Sequence, residues 1–99
     1  MAETSTAAAI GPETVLRVHP SVAVRPEPFG ALVYHYGNRK LVFLKARSMV
    51  GVVEALDGVR TVAEALAVAG VPEAHHARHV EALASLLRSD LLTESPEGS

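Results

Sequence analysis

Apolar residues follow two rhythms along this chain: strand-like runs in the first half and the three-and-four spacing of helices in the second. Val22-Ala23-Val24-Arg25 reads as a short strand, preceded by a piece at Val15 to Val18 and punctuated by Pro20, Pro26 and Pro28. Gly30-Ala31-Leu32-Val33-Tyr34-His35-Tyr36 forms a second strand. Lys40, Leu41, Val42, Phe43, Leu44 and Lys45 form a third, apolar at every interior position and closed by lysines. Gly37-Asn38-Arg39 between them tolerates positive φ, so the two strands make a hairpin and the three strands an antiparallel meander.

Three helices follow. Ser48 or a neighbour opens the first, which buries Met49, Val52, Val53 and Leu56, and Asp57-Gly58 ends it. Thr61-Val62-Ala63-Glu64 has capping-box spacing for the second, which Gly70 ends. Pro72-Glu73 starts the third, proline losing no useful hydrogen bond in a first turn; it runs to about Ser89, and Leu91-Leu92 packs back on the body. The expected fold class is therefore α+β, a three-stranded antiparallel sheet followed by three helices in a winged-helix-like order. Residues 14–93 form one domain; the aperiodic segments 1–13 and 94–99 are expected to be a disordered arm and tail.

The edges of such a meander differ. Prolines crowd the first strand and cannot donate to a new ladder, whereas the third strand has neither proline nor glycine between its lysines. Only that edge offers an uninterrupted row of donors and acceptors. Leu41 and Phe43 point to one face, Val42 and Leu44 to the other, so both faces are expected to be covered, by the chain's own helices or by a partner. On a helical wheel Val80, Leu83, Ala84 and Leu87 form the central stripe of the third helix, with Arg78, Glu81, Ser85 and Arg88 on the wet side. His79 and Leu86 widen the stripe along one flank, which suits either a fully packed helix or one whose shoulder lines a groove.

Ninety-nine residues, 48% hydrophobic and without cysteine, build one modest core and exclude a disulfide framework, a thiolate metal site and a thiol nucleophile. No apolar run is long enough for a membrane span and the start lacks a secretory signal, so the expected address is cytoplasmic. The net charge of −2 gives no overall pull on nucleic acid or anionic lipid. Its distribution is uneven: residues 28–53 hold Arg39, Lys40, Lys45 and Arg47 and no acid, leaving five basic against eleven acidic residues elsewhere. The lysines beside the open strand either guard it against aggregation or attract an acidic peptide, and one role does not exclude the other.

Other chemistry is poorly supported. His75 and His79 are spaced to share a face toward a metal, with Glu73 and His76 nearby, but no second cluster offers a third ligand; His19 and His35 read as surface or hydrogen-bonded residues. No triad, paired carboxylates or phosphate loop is present, so neither catalysis nor a cofactor is expected. Helix two, the Gly70-Val71-Pro72 turn and helix three have helix-turn-helix proportions, which makes a DNA-binding regulator the alternative. Against it, two arginines on the last helix are offset by Glu73, Glu81 and Asp90.

The segment Arg25-Pro26-Glu27-Pro28-Phe29-Gly30-Ala31-Leu32-Val33-Tyr34-His35-Tyr36-Gly37-Asn38-Arg39-Lys40-Leu41, with weaker support from Leu56-Asp57-Gly58 and the close of the third helix, resembles the PqqD-like peptide chaperones. These are recognition elements for ribosomally made, modified peptides (RiPPs), and the resemblance is closest to the branch serving biosynthesis of the redox cofactor mycofactocin. It implies a non-catalytic adaptor that binds the leader of a precursor peptide as an added strand and delivers it to a radical-SAM maturase, which would carry the iron-sulfur clusters. The implied peptide site is the backbone of Lys40, Leu41, Val42, Phe43, Leu44 and Lys45, with His79, Leu83 and Leu86 as a helical wall. The free protein is expected to be a monomer or a weak homodimer.

Overall fold

The computed structural model describes residues 10–94, so positions 1–9 and 95–99 of the expected disordered ends lie outside it. It is an α+β fold with six strands and three α-helices: β1 (Val15–Val18), β2 (Val22–Glu27), β3 (Gly30–His35), β4 (Leu41–Leu44), α1 (Arg47–Ala55), β5 (Asp57–Thr61), α2 (Val62–Val68), α3 (His76–Arg88) and β6 (Leu92–Glu94). A single 3₁₀ turn, Glu73–His75, leads into α3. No helix among the described residues is long and apolar enough to cross a membrane.

The expected meander is present as the antiparallel sheet β2-β3-β4. A second antiparallel sheet, ordered β5-β1-β6, was not expected. Val15–Val18 is its central strand rather than a prelude to the meander, and the segments flanking α1 and α3 supply its edges. Leu92 does pack back on the body, as a strand paired with Val18.

Local chemistry explains the helix ends. Thr61 and Glu64 form the reciprocal capping box: the Glu64 N–H donates to Thr61 Oγ1 at 3.1 Å and the Thr61 N–H to Glu64 Oε1 at 2.8 Å. Gly70 turns with φ 73° after α2. At the end of α3 the Leu91 N–H donates to the Leu86 carbonyl and the Asp90 N–H to that of Leu87, a Schellman pattern with Asp90 at φ 66° where glycine is usual. α1 starts at Arg47 without a side-chain cap.

After α1 the Asp57 carboxylate accepts the N–H groups of Val59 and Arg60 at 2.9 and 2.8 Å. The Arg60 N–H above all, then that of Val59, holds the Asp57 pKa below the ordinary carboxylate range. Because the folded-state value lies below the unfolded one, this stabilisation is complete above the unfolded pKa and disappears as pH falls through the folded one. Asp57→Ala should therefore melt below wild type at neutral pH, with the gap closing in acid; thermal melts across that range check it, and a pH-independent gap would contradict it.

One core joins the layers: Leu16 of β1, Val33 of β3, Leu44 of β4, Val52 of α1, Leu66 of α2 and Leu83 of α3 belong to a single buried cluster. The hydrophobic inner face of the meander rests on this cluster and fixes β4 against β3.

Candidate functional site

β4 is an outer strand of its sheet, paired with β3 through Tyr34–Leu41, Leu32–Phe43, Val33–Val42 and Ala31–Leu44. In an antiparallel ladder each residue turns its N–H and C=O to the same side, and successive residues alternate. The His35 N–H donates to the Lys40 carbonyl at 2.9 Å, which makes Lys40 an inward-bonding residue. Stepping by two, Val42 and Leu44 also bond inward. An independent observation agrees: a Cβ built on Gly30 would overlap the Leu44 carbonyl oxygen, so that carbonyl points toward β3. The free edge is therefore made by the N–H and C=O groups of Leu41 and Phe43. β2, on the other side, carries Pro26 within its strand.

The faces separate cleanly. Val42 and Leu44 face the core, while Leu41 and Phe43 are 59% and 41% exposed. Cover was expected on both faces; among the described residues only the inner one has it. The bare outer face continues across the sheet through Leu32 and Tyr34 of β3 and Ala23 and Arg25 of β2, which lie in register with Phe43 and Leu41. Tyr36 extends the row, its ring edge-on to that of Tyr34 with 4.9 Å between centroids. Sequence reasoning missed this surface, although β3 carries its signal: small or β-branched residues at 31 and 33 alternate with large ones at 32, 34 and 36.

The expected helical wall is placed differently from a groove lining. Leu83 is 0% exposed, and His79 and Leu86 are each 6%. The flank of α3 that widens its stripe is thus the buried centre, while Val80 and Leu87 are only half-buried. His79 is fully engaged: Nδ1–H donates to the His75 carbonyl at 2.8 Å, so Nε2 accepts the Ser48 hydroxyl at 2.8 Å. This bond ties α3 to the start of α1, directly after β4. His76 donates from Nε2 to the Val71 carbonyl at 2.9 Å. With both ring nitrogens of His79 committed, the His75/His79 spacing makes no metal pair.

Among the described residues a different set converges, His19, His35 and Asp90. His35, buried, accepts the Gly37 and Asn38 N–H groups on Nδ1, which puts its proton on Nε2, 3.3 Å from Asp90 Oδ2. His19 accepts the Ser21 N–H on Nδ1 and aims Nε2 at the same oxygen from 3.6 Å. A histidine that ligates a metal normally donates from its other nitrogen, whereas both of these accept there. The cluster is a staple joining the turns after β1 and β3 to the end of α3.

Lys40 and Lys45 are exposed at the two ends of β4. Arg39 holds φ 65° in the hairpin turn, where the Asn38 side chain accepts the Lys40 N–H at 2.9 Å, and Arg47 reaches back to the Pro28 carbonyl at 3.2 Å. The edge is flanked by cations with no acid in the same stretch of chain.

The model of the peptide chaperone MftB family matches residues 15–93. The chain is 48% identical over 89 residues to the peptide chaperone MftB of Mycolicibacterium smegmatis, covering 89% of this chain and 87% of that one. It is likewise 48% identical over 86 residues to that of Mycobacterium ulcerans, covering 87% and 79% of the two chains. With that of Mycobacterium tuberculosis it shares 46% identity over 81 residues, covering 82% and 74%. No solved structure matches.

Proposed function

The chain belongs to the peptide chaperone MftB family, and from that premise we propose that it captures a precursor peptide as an added strand on β4 and delivers it, in a ternary complex, to a radical-SAM maturase of mycofactocin biosynthesis. The observation that carries this reading is the free edge, with the Leu41 and Phe43 amides turned outward and a lysine at either end. A PqqD-like arrangement, in which the peptide lies beside the last strand of the meander and the third helix, belongs to the same reading. Leu83, Leu86 and His79 then act from within the core, holding the inner face on which β4 rests.

Magnitudes limit what the backbone supplies. Two outward residues offer four hydrogen bonds at about 1 kcal/mol each. Micromolar binding needs about 8 kcal/mol, so the peptide's side chains and charge contribute at least as much as its backbone. Leu41 and Phe43 provide apolar contact, and the lysines favour an acidic leader. Delivery works through effective concentration: an enzyme that meets the carrier meets the tethered reactive segment as an intramolecular neighbour.

Titrating a labelled precursor peptide, followed by anisotropy, tests the reading, and amide shifts at Leu41 and Phe43 locate the contact. Failure of the peptide to bind would remove the proposal. Lys40→Glu combined with Lys45→Glu should weaken capture of an acidic leader by about tenfold at low ionic strength, with the difference shrinking as salt is added. Affinity indifferent to both charge and salt would eliminate electrostatic steering while leaving strand addition standing.

A further inference from the structure

Resting on that reading, we infer that the outer face of sheet β2-β3-β4 is a second docking surface, the seat of the folded enzyme that receives the peptide. An added strand occupies one lane beside β4, about 4.8 Å from it. It leaves the lanes of β3 and β2 bare, where Leu32, Tyr34, Tyr36, Ala23 and Arg25 surround a shallow depression of about 330 Å³ that also touches Leu41. Tyr36 is 65% exposed. Aromatic rings and an arginine around a hollow floored by alanine suit a protein partner that inserts an apolar anchor.

Charge selects the partner's chemistry. The rim carries Arg25 and, at the end of β4 in phase with Leu41 and Phe43, Lys45; its acid, Glu27, lies 3.9 Å from Arg25. The complementary surface is an acidic ring around apolar side chains. A second copy fits poorly, because antiparallel pairing of two β4 edges, Leu41 opposite Phe43, brings Arg39 of each toward Lys45 of the other, and apposed outer faces bring two basic rims together.

The face is also continuous with the cargo. Residues of an added strand opposite Leu41 and Phe43 project their side chains to the same side of the sheet. An enzyme seated there touches carrier and peptide together, so it should bind the loaded form more tightly than the empty one, and by linkage it should tighten the peptide in turn.

The test uses Ala23→Glu, which fills the hollow with an acid two lanes from the edge, and Tyr36→Ser, which trims an exposed ring. With native circular dichroism in both, the labelled precursor peptide should bind within about twofold of wild type, while affinity of the peptide-loaded protein for the radical-SAM enzyme falls by about tenfold or more. Unchanged enzyme affinity in both folded variants overturns the inference. So does a parallel loss of peptide affinity, which would make the face part of the peptide site. A wild-type dimer in sedimentation velocity that Ala23→Glu dissolves would assign the face to a second copy instead. Failure of strand addition itself would appear separately, as intact peptide binding after proline is placed in the edge.

Discussion

Phe43→Pro should reduce capture of the precursor peptide by about a hundredfold, the equivalent of 2–3 kcal/mol, in a protein that still folds. The Phe43 N–H faces the open edge, so proline breaks no bond of the existing sheet there, and edge positions of this kind tolerate it. What it removes is one of the donors for an incoming strand, and its ring obstructs that strand's approach. Phe43→Ala is the necessary companion because it removes the side chain alone. The difference between the two variants isolates the backbone contribution; equal affinities would show that the peptide does not pair with β4. Val42→Pro makes the contrast: its N–H bonds inward, so it should cost about 3 kcal/mol of stability and confound any binding measurement.

Gly30→Ala should be more damaging than any edge substitution. Gly30 has φ 153°, and a Cβ there meets the Leu44 carbonyl, a backbone atom that cannot swing aside as a flexible side chain would. Accommodating it means displacing β4 from β3. A loss of more than about 3 kcal/mol is expected, with Tm lowered by about 15 °C or more and peptide capture lost with the strand's position. Gly70→Ala is the control: its φ is 73° but nothing lies within 4 Å of the new Cβ, so only the backbone conformation is penalised, at about 1 kcal/mol. Similar melting temperatures for the two variants would refute the steric account.

Contrast between these glycines illustrates what the amino-acid pattern makes legible. Features set within a few residues could be read directly: the Gly37-Asn38-Arg39 turn, the Thr61/Glu64 capping box, Gly70 after α2 and the proline-free third strand. The second sheet could not. β5 begins with Asp57-Gly58, which reads as a helix stop, β6 has three residues, and β1 acquires both partners from distant parts of the chain. Such pairing is decided by tertiary packing rather than by local propensity. Periodicity likewise revealed that α3 had a broad apolar arc without saying which part of it would be deepest. In the folded protein His79 and Leu86 lie inside, whereas Val80 is only half-buried. Of the site, the edge strand and its lysines were visible in the sequence, but which amides face outward depended on the hairpin's hydrogen bonds.

Pairing of Leu92–Glu94 with Val15–Val18 also orders the protein's assembly in time. The meander joins neighbours and can form early, yet β1 lacks one of its two partners until synthesis has passed Leu92. Leu91 and Leu92 sit in the same buried cluster as Leu44. A nascent chain stalled before them would present β4 without the finished foundation beneath it, so a rigid edge becomes available only when nearly the whole domain has been translated.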